Sequence, residues 1–208
     1  MTPAVHARRL GAGLALGLLA LGGCAAHARA PEPTALAART PLVLLPLENL
    51  SGRAEYGERF TRLAWSVVGA SGRFDLVDPG QVDAVLVEFR IRSSGAVTRE
   101  QILKLASRLN VRWVLAGSLL ECGTVRTPDG DAPTFSLALR LIDGHTGKVV
   151  WTDLRARSGE DREIVFGWGR EQSLDRLAEV TTRELVNALR VPDAAEVPDT
   201  LTTSESKP

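Results

Sequence analysis

The sequence predicts an α/β fold, a mixed sheet of about five strands packed with about four helices in a two- or three-layer sandwich. Three observations carry that prediction. Leu42-Val43-Leu44-Leu45 is a short continuous apolar run closed by Pro46, the pattern of a strand buried on both faces. Glu55 to Ala70 then places Tyr56, Phe60, Leu63, Ala64, Val67 and Val68 on one helical stripe. Later, Phe135, Leu137, Leu139 and Leu141 alternate, Asp143 to Lys148 (DGHTGK) gives a hairpin turn signal, and Val149-Val150-Trp151-Thr152 returns as the partner. Parallel crossovers early and an antiparallel hairpin late make the sheet mixed.

The remaining elements follow in order. Leu47 to Gly52 reads as a turn or loop, with Asn49, Ser51 and Gly52 supplying the unusual dihedrals. Gly69 to Gly72 ends the first helix, and Phe74 to Val77 is a short strand. Asp78-Pro79 then has the form of an N-cap with proline at the first helical position. Residues Gln81 to Ile91 fit a helix through Val82, Val85, Leu86 and Phe89 and also an alternating strand through Val85, Val87, Phe89 and Ile91; the Asp-Pro start favours a helix early on, with its end left open. Thr98-Arg99-Glu100-Gln101 matches a capping box, opening a helix that buries Ile102, Leu105, Ala106 and Leu109 and ends at Asn110. Val111 to Leu120 is expected to be a central strand in which Gly117 allows close packing. Glu121 to Pro133, with its Gly, Pro and Asp, is expected to be an exposed loop. Ser173 to Leu189 closes the domain as a helix facing Leu174, Leu177, Ala178, Thr181, Leu185 and Leu189 inward. Trp65 and Trp113 are expected in the core, where aromatic rings bury most area.

The N-terminus decides the compartment. Arg8 and Arg9 precede an uncharged Leu, Ala and Gly run from Leu10 to Leu21, followed by Gly22-Gly23-Cys24. A positive start, a short apolar core and small residues before a cut describe a secretory signal peptide, and the run is too short for a resident helix of about 20 residues. Leu21-Gly22-Gly23-Cys24 resembles the lipobox of bacterial lipoproteins, which implies cleavage between Gly23 and Cys24 and acylation of the Cys24 thiol. Each buried methylene of such a chain contributes about 0.8 kcal/mol to anchoring. Ala25 after the cysteine implies, by analogy with lipoprotein sorting, the outer membrane. The expected organisation is a signal peptide over 1–23, a flexible Ala- and Pro-rich tether over 24–40, an α/β periplasmic domain over 41–190 and a polar, disordered tail over 191–208.

Composition narrows the function classes. The 25 basic and 25 acidic residues balance, and loss of Arg8 and Arg9 with the leader leaves a net charge of −2, so nothing points to nucleic acid. Cys122 is the one thiol besides Cys24, so acylation of Cys24 leaves no intramolecular disulfide. After the leader, the histidines are His27 in the tether and His145 in the hairpin turn. Neither neighbours Cys122 in sequence, and the set has no zinc-ligand spacing. Gly69 to Arg73 lacks the lysine of a phosphate loop, Gly167-Trp168-Gly169 is no dinucleotide fingerprint, and Asp129-Gly130-Asp131 reads as a turn. These observations predict no enzyme, no cofactor and no metal. The apolar insert Ile164, Val165, Phe166, Gly167 and Trp168 between charged residues reads either as a partner-binding surface or as rings folded onto the sheet before the last helix. Asn49 and Arg53 are further candidates because loops carry binding residues.

Four stretches together resemble the small envelope domains of the CsgG, LpoB and TolB N-terminal families. They are LVLLPLENLSGR at Leu42 to Arg53, SGRFDLVDPGQV at Ser71 to Val82, LASRLNVRWVLAGSLL at Leu105 to Leu120, and LALRLIDGHTGKVVWT at Leu137 to Thr152. The resemblance implies a periplasm-facing lipoprotein that binds an envelope protein, as LpoB-like members activate a peptidoglycan synthase, or that assembles as a homo-oligomer, as CsgG relatives do in secretion channels. A channel strand needs about 9–11 alternating residues. Glu121 to Pro133 and Arg155 to Arg162 lack that alternation, so a protein-binding or assembly module is expected ahead of a channel subunit.

Overall fold

A computed structural model describes residues 39–91, 94–128, 130–161 and 171–192, all within one compact unit. The elements are β1 (Thr40–Leu44), β2 (Glu48–Asn49), α1 (Ala54–Ala70), β3 (Phe74–Leu76), α2 (Pro79–Glu88), α3 (Arg99–Leu109), β4 (Trp113–Thr127), β5 (Gly130–Asp143), β6 (Val149–Ser158) and α4 (Leu174–Ala188). The sheet runs β3-β1-β4-β5-β6, with β2 pairing separately with β4. β1 is parallel to β3 and β4, whereas β4, β5 and β6 are successively antiparallel, so the sheet is mixed as expected.

Two cores lie on opposite faces of this sheet. On one, Phe60, Ala64 and Val68 of α1 and Leu177, Ala178, Leu185 and Val186 of α4 meet Leu42, Leu44, Trp113, Leu115, Phe135, Leu137, Leu139 and Leu141. On the other, Val82, Val85 and Leu86 of α2 and Ile102, Leu105 and Ala106 of α3 meet Val43, Leu45, Val114, Ala116 and Ile142. Because β1 feeds both, Leu42 through Leu45 are all buried. The result is a three-layer sandwich.

The helix ends follow their local chemistry. Asp78 Oδ1 accepts the Gly80 and Gln81 amides, and Pro79 opens α2. The ambiguous stretch after Gln81 is helical to Glu88. It stops at a Schellman closure in which the Ile91 amide reaches the Leu86 carbonyl at 2.8 Å with Arg90 left-handed at φ 55°. α3 carries the complete Thr98/Gln101 capping box and ends on left-handed Asn110. α4 has no basic residue in its last turn; instead Arg73, just before β3, donates to the carbonyls of Val186 and Leu189, each at 2.6 Å. That guanidinium supplies the positive charge a helix C-terminus favours.

Two expectations are corrected. Glu121 to Pro133 is no loop: β4 continues to Thr127 and pairs residue by residue with Gly130 to Ser136 of β5. A bulge between Leu119 and Glu121 shifts the register, so Leu119 and Cys122, three apart, enter the same core. Pro133 is tolerated because its missing N–H would have faced the last pair of the ladder, where Gly159 donates to the Pro133 carbonyl. Trp65 is also no core residue. It sits one step off the α1 stripe, 100° round the helix from Ala64, and is 36% exposed, whereas Trp113 is 4% exposed.

Candidate functional site

Building outward from β1, the chain turns at Pro46 and docks its next residues on α1. The Leu47 amide donates to the Thr61 hydroxyl at 3.0 Å, and that hydroxyl donates to the Gly57 carbonyl. Gly57 packs closely there: a Cβ at this position would lie 3.2 Å from Asn49 Cβ and push it slightly aside. Asn49 in turn closes the loop on itself, donating to the Arg53 carbonyl and accepting the Ser51 amide and hydroxyl. Asn49 therefore acts within the fold, and the Arg53 guanidinium lies 5.9 Å from the Tyr56 ring centroid.

This docking opens a groove of about 660 Å³ at the carboxyl end of β1, between α1 and the start of α2. Its floor is Leu44, Pro46, Leu47 and Val82; Trp65 stands at the side, and Glu58, Arg62 and Asp83 contribute charge. Glu58 and Arg62 pair along α1. Clefts at the carboxyl ends of strands are the usual ligand positions in α/β folds, and an apolar floor beside a half-open indole can accept an apolar anchor of a partner. Nothing in its sequence singled out this groove, because its lining comes from three separated segments. The one available signal was Trp65 lying off the apolar stripe of α1.

A polar patch lies beyond α2 and α3, on the side of the sheet they leave open. The Glu48 carboxylate accepts from Ser118 at 2.9 Å, Ser94 donates to the Gly117 carbonyl, and Arg140 donates to the Ser94 carbonyl at 2.8 Å. Gly95 is seated against the Glu48 carboxylate so closely that a side chain there would displace it.

The expected site residues Gly23, Cys24, Ile164, Phe166 and Trp168 lie outside the described residues. Cys122 is buried, and burial pushes its thiol up to about 11, against the smaller downward pull of Arg59 and Arg53. A thiol held protonated at neutral pH is a packing group. His145 is exposed on the hairpin turn. It lies at the opposite end of β4 from Cys122: Trp113 pairs with Asp143, nine residues before Cys122, a distance of about 30 Å. The two do not form a site. The turn itself is built on Asp143, fully buried, whose carboxylate accepts the His145 amide at 2.7 Å, the Thr146 amide at 3.1 Å and the Arg112 guanidinium at 3.0 Å. Burial alone would raise this carboxyl; those donors outweigh it and hold it below the usual carboxylate range.

No protein-family model matches the chain. Among curated proteins it is 27% identical over 163 residues to a putative adenylate cyclase 3 from Rhizobium meliloti, which covers 78% of this chain and only 23% of that protein. The expectation of no enzyme is thereby corrected, since this relative bears an enzyme's name. The expectation rested on missing short motifs, and catalytic groups assembled from distant segments leave none. Among solved structures, lipoprotein GNA1162 from Neisseria meningitidis matches at TM-score 0.51 and 18% identity, over 71% of this chain and 99% of that one. A PelC dodecamer from Paraburkholderia phytofirmans matches at TM-score 0.50 and 20% identity, over 71% and 86%. The LpoB C-terminal domain from Salmonella enterica matches at TM-score 0.45 and 21% identity, over 60% and 86%. At these identities the likeness is one of fold, shared with lipoprotein GNA1162 and with PelC.

Proposed function

We propose that this chain is a cell-envelope lipoprotein, anchored through Cys24 in the outer membrane, whose α/β domain faces the periplasm as a protein-binding or assembly module. The observation that carries the reading is a coincidence of two independent features. The leader ends in a lipobox-like Leu21-Gly22-Gly23-Cys24, and the domain behind it has the fold of a lipoprotein, GNA1162. The tether over 24–40 would let the domain reach a partner away from the bilayer. Both the Trp65 groove and the apolar insert at Ile164, Phe166 and Trp168 offer aromatic anchors of the kind that dominate protein interfaces.

A second reading, a subunit of a CsgG-like oligomeric secretion channel, draws on the dodecameric state of PelC. The β4–β5 hairpin is a poor pore element. β6 accompanies it as far as Ser158 opposite Thr134, so only 124–127 and 130–133 extend beyond the three-stranded part. Membrane strands need about 9–11 residues.

Metabolic labelling with a palmitate analogue tests the anchor. Wild type should take up label and fractionate with outer membranes, and Cys24→Ser should do neither; equal labelling of the variant would refute lipidation at Cys24. Crosslinking in intact cells then tests the module. A defined envelope protein captured by wild type and lost in Trp65→Ala or Trp168→Ala supports protein binding, whereas a ring of the chain alone, indifferent to both changes, moves the reading to the channel.

A further inference from the structure

We propose that β6 is a self-complementary edge, on which a second copy of this chain pairs antiparallel about a two-fold axis through Leu154. The inference goes beyond the envelope reading and does not rest on the lipid anchor.

The phase of the ladder comes first. Gly159 donates to the Pro133 carbonyl, and the β5–β6 register runs without interruption from Thr134 opposite Ser158 to Leu141 opposite Trp151. The backbone groups of Arg157, Arg155 and Asp153 therefore face β5, and those of Ala156, Leu154 and Thr152 face outward. Among the described residues no strand pairs with this outer edge. It is ten residues long and apolar at its centre, since Leu154 is 50% exposed. The opposite edge, β3, has three residues.

Long open edges invite pairing, and charge is the usual guard against it. Here the charges are arranged differently. The Asp153 carboxylate accepts the outward-facing Leu154 amide on one oxygen at 2.8 Å and the Arg155 guanidinium on the other, also at 2.8 Å. A two-fold copy centred on Leu154 offers each group an equivalent partner. Leu154 N–H meets the carbonyl of Leu154 in the other copy, and the two Leu154 side chains adjoin. Asp153 falls opposite Arg155 of the second chain at a non-hydrogen-bonded position, where facing side chains are closest. Trp151 falls opposite Arg157, whose guanidinium stays bonded to Glu184 of α4 at 2.7 Å, so the charge complementarity rests on the Asp153–Arg155 pairs. A one-residue slip would set Arg155 against Asp153 no longer, so the charges also fix the register. Read outward from Leu154, the sequence Thr152-Asp153-Leu154-Arg155-Ala156 carries opposite charges at matching distances, and a two-fold copy turns that antisymmetry into two opposite-charge pairs, which is what selects a second copy over an unrelated strand.

The test uses the full-length chain in detergent, followed by analytical ultracentrifugation. Wild type should reversibly dimerise. Asp153→Arg and Arg155→Asp each place like charges opposite one another twice across the axis and should each weaken self-association about tenfold or more. Mixed one to one, the two variants become complementary at both pairs and should recover the dimer as a heterodimer. No contact within one chain can produce that recovery. Wild type that stays monomeric at about 100 μM, or variants that associate as wild type does, would overturn the proposal, as would a mixture no tighter than its components. A dimer lost at β6 would leave the lipid-anchor reading intact, because Cys24 labelling is measured separately.

Discussion

The two halves of the sheet are built to different rules. Around β1, β3 and the start of β4 the strands are parallel and helices cover both faces, so every residue from Leu42 to Leu45 is buried. Across β5 and β6 the strands are antiparallel and helix α4 covers one face, so Leu137, Leu139 and Leu141 are buried while Ala138 and Arg140 are only half-buried and Leu154 is exposed. The first half spends its surface on cohesion. The second keeps one face and one edge free, and both the polar patch around Glu48 and the self-complementary β6 belong to that free side.

The sharpest way to break this contrast is one substitution made on both sides. Leu115→Ala, at a fully buried position, should cost about 3 kcal/mol in urea denaturation, with an unchanged slope. The same change at Leu154, measured at protein concentrations too dilute for self-association, should stay within about 0.5 kcal/mol. Equal losses would mean that the open face is packed as tightly as the closed one.

Between these extremes lies Asp143, at the turn joining β5 to β6. Asp143→Asn should cost about 1–3 kcal/mol, since the amide keeps at most part of the three donors. Because the folded carboxyl sits below its unfolded value near ~3.9, its contribution is present above that pH and fades as pH falls below it. The gap in unfolding midpoint between wild type and Asp143→Asn should therefore be full at pH 6 and narrow by pH 3. A gap independent of pH would show that the carboxylate charge does not hold the turn.

The closed half was the more legible in the sequence. Asp78-Pro79 and Thr98 with Gln101 announce helix starts through side chains that satisfy backbone amides, Asn110 announces a helix end through its tolerance of the left-handed region, and the structure uses all three. Arg90 announced nothing, because a left-handed arginine looks like any other, so the helix that Asp78-Pro79 favoured had no legible end in the sequence. In the open half, the alternation from Phe135 to Leu141 was plain, but the bulge after Leu119 broke the two-residue period and disguised Glu121 to Thr127 as a loop. The Trp65 groove was illegible for a different reason. Its floor is assembled from β1, α1 and α2, and no local spacing records that meeting.

Arg73 carries a consequence for the order in which the molecule is completed. It closes the end of α4 from 113 and 116 residues upstream, so the last of the described helices is finished by a side chain that emerged early. Until α4 arrives, Phe60 of α1 lies 5.1 Å from Phe135 but the stripe of Phe135, Leu137 and Leu139 lacks the part of its cover that α4 supplies, and a nascent chain halted before residue 174 would present that part to whatever surrounds it. One of the two cores is therefore complete only once α4 has been synthesised and docked, although the strands and helices it closes all precede it in the chain.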